Sequence, residues 1–226
     1  MIDIAALYKI SYGLYIVCSG DKKNGNGFIS NTVFQVTSDP ARFATCCNKN
    51  NFTAEFIQNY GVFSVSVLDI NASSDIIGTF GYKTGRNFDK LAGKNIKYGD
   101  TNVPIVLDGC LAYFECKVVQ TIDTGTHLLF IGDLLNAEAL NNVNNPLTYS
   151  YYREVRKGIA PKNAPTYIDK SKYVTKQEKS IAKKYKCPAC GYIYDDAAES
   201  VRFEELPGDW ICPICGSEKS DFFEID

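Results

Sequence analysis

The chain has 226 residues, 45% of them hydrophobic and 22% charged, with 9 cysteines and a single histidine; this composition excludes intrinsic disorder, and the length suits a large domain with a small companion. Its net charge of −2 divides unevenly, with +1 over residues 1–167, +2 over 168–182 and −5 over 183–226, and the acidic tail disfavours nucleic acid and anionic membrane as partners, because phosphates select basic surfaces. No apolar run approaches the ~18 residues of a membrane span, residues 1–10 lack a signal-peptide pattern, and the odd cysteine count points to reduced thiols, so a soluble cytoplasmic chain is expected.

Alternation with period two and a high β-branched and aromatic content predict strands over residues 12–19, 28–37, 62–68 and 111–122. After the last of these, Asp123-Thr124-Gly125 is a turn signal and residues 127–132 read as the return strand of a hairpin. Helices are predicted over 51–60 and 73–80, with Asn51 and Ser73 as caps. Many strands with few helices suggest a β-barrel with helices at its rim. The domain boundary is expected near Ile168, where a polar, Lys-rich segment begins. A flexible linker over 168–182 would span roughly 20 Å and join a domain of residues 1–167 to one of residues 183–226.

Two stretches carry chemistry in the larger part. Gly25-Asn26-Gly27 is not a dinucleotide fingerprint, since Ser30 stands where the third glycine belongs and the following residues read as strand. Residues 27–35 and 46–53 bring hydroxyls, amides, Lys49 and the start of a helix together. A helix N-terminus with a nearby lysine suits a phosphate, and plain capping by Asn51 beside a solvated Lys49 suits the same residues.

The tail carries two Cys-x-x-Cys-Gly knuckles, Cys187 with Cys190 and Cys212 with Cys215. Two-residue gaps let both thiolates of a knuckle reach one tetrahedral ion, and the following glycine permits a turn that aims N–H groups at sulfur. The spacing fits iron and zinc alike. Either metal would contribute to the folding of so small a domain.

The residues around the knuckles narrow this choice. The runs Cys187-x-x-Cys190-Gly191-Tyr192-x-Tyr194-Asp195 and Leu206-Pro207-x-Asp209-Trp210-x-Cys212-Pro213-x-Cys215-Gly216 resemble rubredoxin over residues 183–226. That resemblance implies one iron held by Cys187, Cys190, Cys212 and Cys215, and a small aromatic core of Tyr185, Tyr192, Tyr194, Phe203, Trp210 and Phe222. The loop over 196–201 is shorter than in most rubredoxins.

Residues 4–167 resemble the flavin reductase family, and its ferric reductase branch in detail. The likeness runs through residues 7–17 and 31–38, Gly125-Thr126-His127, Pro146-Leu147-Thr148-Tyr149 and Lys157-Gly158-x-x-Pro161-x-x-Ala164. It implies a mainly β fold, a dimeric split β-barrel that binds FMN and is reduced by NADH or NADPH without a Rossmann fold. By position, Asn31, Thr32, Asn48, Lys49, Asn51 and Thr53 would hold the FMN. His127 and Cys46 fall at family positions beside the flavin ring, although a histidine opening a strand or a buried thiol also fits a structural role. Residues 77–90 would border the nicotinamide space.

The two-part architecture resembles the high-molecular-weight rubredoxins, a flavin reductase fused to rubredoxin. The resemblance implies electron transfer from NAD(P)H through FMN to the iron and on to a protein acceptor such as a flavodiiron protein. A flavin or ferric reductase with a small-molecule acceptor is an alternative. A non-catalytic flavin-binding barrel with a structural zinc ribbon is another.

Overall fold

A computed structural model describes residues 4–141, 143–168, 183–199 and 201–225. The chain divides into two compact units, one of Ile10–Ile168 and one that joins Asp169–Asp226 with Met1–Lys9. Beyond Ile168, the linker expected over 168–182 lies outside the described residues. A single helical turn, α1 (Ile4–Leu7), was not expected from the sequence.

The larger unit is a seven-stranded antiparallel sheet built from β1 (Tyr15–Gly20), β2 (Gly25–Ser30), β3 (Val33–Ser38), β4 (Ala41–Asn48), β5 (Val62–Leu68), β8 (Cys110–Asp123) and β9 (His127–Ala139). Its order is β2-β1-β5-β8-β9-β4-β3, and a separate hairpin pairs β6 (Ile96–Tyr98) with β7 (Pro104–Val106). The strand expected over 28–37 is two strands. Ser30 Oγ accepts a hydrogen bond from the Thr32 N–H at 3.2 Å, a local turn that competes with the ladder and ends β2 before β3 begins. Strand β4 was not anticipated; its alanines, arginine and asparagine are weak strand formers, and pairing with both β3 and β9 holds it extended. Strand β9 runs to Ala139, past the expected end at 132, because its second half pairs with the start of β8 across register shifts at Glu115/Cys116 and Val118/Gln120.

The backbone ladder of the described residues is open, with β2 and β3 as its edges. These edges are consecutive in the chain and joined only by Asn31 and Thr32. The end of β2 also meets β4, since Thr32 O accepts from Cys46 N at 3.2 Å and Ser30 Oγ lies 3.5 Å from Thr45 Oγ1. Among the described residues the strands thus form an open sheet whose two edges meet at this seam, and a closed barrel is not seen.

Strand alternation divides the core between two faces. Val17, Phe28, Phe63, Val65 and Phe130 pack on α2 (Phe52–Tyr60) from one face, while Leu14, Ile16 and Leu68 pack with Ile76, Ile77 and Phe80 of α3 (Ser74–Tyr82) on the other. Phe63 and Phe130 are fully buried, each contributing roughly 1.5–3 kcal/mol by loss of water contact. Both helices begin where the sequence places their caps: Asn51 Oδ1 accepts from Thr53 N at 3.0 Å and Ser73 Oγ from Ile76 N at 3.3 Å. Gly61, with φ 66°, ends α2 in the left-handed conformation that glycine adopts without strain. A short helix α4 (Tyr149–Glu154) follows, capped by Thr148.

In the smaller unit, β10 (Lys184–Lys186) lies between β11 (Ile193–Asp195) and β12 (Phe223–Ile225). The six aromatic residues expected to form its core do so: Tyr185, Tyr194 and Phe203 are buried, with Tyr192, Trp210 and Phe222 packed against them. Tyr185 stacks on Phe203 at 4.1 Å between ring centroids. Among the described residues, no helix is long and apolar enough to cross a membrane.

Candidate functional site

The two knuckles of the smaller unit fold alike. Gly191 N donates to Cys187 O at 3.0 Å and Gly216 N to Cys212 O at 2.9 Å, with φ of 78° and 77° at the two glycines. The turns bring the Sγ atoms of Cys187, Cys190, Cys212 and Cys215 within 4.8 Å of one another. Cys187 and Cys212 are buried, whereas Cys190 and Cys215 face solvent. The Ser217 hydroxyl and backbone N–H lower the Cys215 thiol to about 6. At Cys190 an N–H from Tyr192 pulls downward, but partial desolvation of the sulfur and hydrogen bonds shared with Cys215, Cys187 and Cys212 outweigh it and push the thiol up to about 12. Four thiols this close cannot all ionise without a cation between them, so the donor set fits a divalent or trivalent metal.

The larger unit holds a cleft of about 500 Å³, within the range of small-molecule sites. Asn31 of the β2–β3 junction, Cys46 and Asn48 of β4, the cap residue Asn51, the loop Lys83-Thr84-Gly85, Lys90 and residues 159–166 line it. No aspartate or glutamate is among its lining residues, so the cleft suits an anion. The Asn31 side chain is buried, donating from Nδ2 to Thr166 Oγ1 at 2.7 Å, while its Oδ1 has no hydrogen-bond partner. An orphaned buried acceptor at the cleft wall fits a ligand that donates, as the ring N–H of a flavin does.

The remaining candidates take other positions. Lys49 lies outside the lining, pairing with Asp123 at 2.6 Å in an exposed ion pair. Thr53 is buried beneath the helix cap, where its hydroxyl donates to Asn26 Oδ1 at 3.0 Å. Thr32 borders the seam through its carbonyl and a 3.4 Å contact to Ser30 Oγ. His127 stands opposite Asn48 in the ladder; its Nε2 is 3.1 Å from Asn163 O and its Nδ1 2.8 Å from Thr126 Oγ1. Burial raises the Cys46 thiol, so it is protonated at neutral pH and no ready nucleophile.

Lys90, expected only as part of the segment bordering the nicotinamide space, stands in the cleft wall itself. Its Nζ is buried in the cleft wall, donating to Gly27 O at 2.9 Å and Phe80 O at 3.3 Å. Desolvation lowers it to about 8, against the ordinary 10.5. Its ionisable neighbours Cys18 and Cys47 are buried thiols that burial keeps neutral. No local pattern announces this lysine, because the two carbonyls that hold it come from β2 and α3.

The flavin reductase like domain family matches residues 7–158, and the rubredoxin family matches residues 184–222. The chain is 42% identical to the high molecular weight rubredoxin of Moorella thermoacetica over 99% of its own length and 100% of that protein. It is 43% identical to the ferric-chelate reductase (NAD(P)H) of Archaeoglobus fulgidus, over 74% of this chain and 98% of the relative. An NADH:FAD oxidoreductase from Streptomyces globisporus shares the fold at 19% identity and a TM-score of 0.56, over 62% of this chain and 81% of that one. With these matches, the four-thiolate centre is a rubredoxin iron site and the larger unit is a flavin-binding domain. The chain belongs to the flavin reductase-like family and carries a rubredoxin domain at its C-terminal end.

Proposed function

We propose that this oxidoreductase takes electrons from NADH or NADPH at FMN in the cleft, passes them to the iron of the rubredoxin domain, and delivers them to a protein acceptor such as a flavodiiron protein. One observation carries the reading: a single chain holds both an acid-free flavin cleft and a four-thiolate centre. Bound flavin accepts two electrons as hydride and releases them singly, which matches a one-electron metal to a two-electron donor. Lys90 supplies positive charge to the anionic cofactor, Asn31 offers its free Oδ1, and the Asn51 cap fixes the helix start at the cleft. The buried Cys187 and Cys212 shield the metal, while Cys190 and Cys215 present two of its thiolates at the surface.

A linker over 168–182 between units of 1–167 and 183–226 is part of this proposal. So is a cytoplasmic location, supported by nine cysteines of which none is in a disulfide. Support for a homodimer comes from the sheet: Phe34 is 52% exposed on edge strand β3, in register with Ala44, whose partner Ile131 pairs with Gln120 near the end of β8, where Ile122 is exposed. Phe34→Asp should shift the dimer to monomer in sedimentation; an unchanged dimer would place the contact elsewhere.

An anaerobic titration with NADH, and separately NADPH, tests the main reading. The flavin and ferric-thiolate bands should bleach together, and adding the acceptor should restore the iron band. The similarity to ferric-chelate reductase favours a second reading, in which a ferric chelate is the acceptor. Iron that stays oxidised while flavin is reduced, with full activity toward the chelate, selects that second reading.

A further inference from the structure

Residues 159–166 line the flavin cleft as irregular chain. Pro161 and Pro165 remove two backbone donors, and local turns from Ala164 N to Pro161 O at 2.8 Å and from Tyr167 N to Ala164 O at 3.0 Å give the segment its shape. Three side chains from separate elements hold it: Tyr82 OH of α3 donates to Ile159 O at 2.6 Å, His127 of β9 meets Asn163 O at 3.1 Å, and Asn31 from the β2–β3 junction donates to Thr166 Oγ1 at 2.7 Å. We propose that residues 159–166 are a strap across the flavin cleft and that His127 is its central latch, a positioning residue that acts through the Asn163 carbonyl.

The chemistry of the imidazole supports a latch. A carbonyl only accepts, so the 3.1 Å contact requires the proton on Nε2. In the neutral ring Nδ1 is then the acceptor, and it takes the Thr126 hydroxyl at 2.8 Å. Both ring nitrogens are engaged, and neither is left to act on a substrate while the strap is closed. The Asn163 carbonyl fixes the proton on Nε2, the Thr126 hydroxyl satisfies Nδ1 in that tautomer, and the Nε2–H holds the strap.

The proposal rests on flavin occupying this cleft, and its test separates the two ideas. His127→Ala, His127→Gln and Thr126→Val are compared by amide hydrogen exchange of the strap in the FMN-free protein, and by the rate at which fluorescence returns when FMN-loaded protein is diluted. His127→Ala should raise strap exchange and FMN release about fivefold each, the weight of one net hydrogen bond, with β8 unchanged. His127→Gln, whose amide N–H can reach the same carbonyl, should restore both toward wild type. Thr126→Val, which removes the donor that satisfies Nδ1 and supports the ring in this tautomer, should shift strap exchange in the direction of His127→Ala. Unchanged strap exchange in His127→Ala and Thr126→Val overturns the latch. So does a His127→Gln variant with wild-type exchange whose single-turnover flavin reduction by NADH is as slow as that of His127→Ala, because the imidazole would then act chemically. Protein that binds no FMN refutes the assignment of the cleft, and the exchange measurements still decide the latch.

Discussion

Replacing Lys90 by methionine removes the buried charge from the cleft wall while keeping an unbranched side chain of similar reach. The lysine titrates at about 8 in the fold, against an ordinary 10.5, because burial strips water from its ammonium. That displacement corresponds to about 3 kcal/mol, at roughly 1.4 kcal/mol per pH unit. Below pH 8 the folded and unfolded chains both hold the proton, and the fold bears the whole cost of the buried charge. Between pH 8 and 10.5 the folded chain has released its proton while the unfolded chain keeps it, so this residue makes stability rise with pH through that window. Methionine has no such dependence. At pH 7 the variant escapes about 3 kcal/mol but leaves the carbonyls of Gly27 and Phe80 without their donor, at about 1 kcal/mol each, for a net gain of about 1 kcal/mol. The assay is urea unfolding of FMN-free protein at several pH values from 7 to 10.5, followed by far-UV circular dichroism. The stability of the variant minus that of wild type should fall by about 3 kcal/mol across the series. A difference that does not change with pH would refute the claim that Lys90 is a buried cation. The same variant should bind FMN at least tenfold more weakly, about 1.4 kcal/mol, since the wall no longer offers charge to the phosphate-bearing cofactor.

Cys187→Ser or Cys212→Ser should abolish the ferric-thiolate band and leave the flavin band intact; a flavin band lost with the iron would mean that the two sites do not load independently. Asn31→Ala should weaken FMN binding at least tenfold, whereas Lys49→Ala should change it less than fivefold, because Lys49 is engaged in an exposed ion pair with Asp123; fluorescence titration decides, and the reverse order would return Lys49 to the site. Cutting the chain between Tyr173 and Lys183 should leave NADH-to-flavin activity unchanged and slow iron reduction at micromolar concentration, because tethering supplies an effective concentration near millimolar; equal stopped-flow rates before and after cutting would show that the linker gives no advantage.

The metal centre was legible because its information is local: four cysteines, two glycines and six aromatics lie within a short stretch, and each knuckle closes on itself. The helix caps at Asn51 and Ser73 were legible for the same reason. Lys49 and Lys90 show where local reading ends. Adjacency to a helix start favours Lys49, but Asp123, 74 positions away, engages its ammonium. Lys90 reaches the cleft because β2 and α3 present Gly27 O and Phe80 O to it, a juxtaposition that no short window contains. Residues 28–37 have strand composition throughout, and one serine hydroxyl bonded two residues ahead is enough to split them and create the junction that carries Asn31.

That junction makes the cofactor site a fastener for the sheet. The two strands with an unpaired edge are neighbours in sequence, and the side chain between them reaches into the cleft. A ligand gripping Asn31 on one side and Asn48, Asn51 or Lys90 on the other would bridge elements that the backbone ladder leaves unbridged. Saturation at a hundred times the dissociation constant would add about 2.7 kcal/mol to stability. Amide exchange should slow most along β2 and β3, where the ladder has a free edge, and least in the β8–β9 ribbon, which is paired along both sides for much of its length. Loss of flavin would thus leave a protein whose centre is intact and whose seam is open, with two strand edges free to pair with other chains.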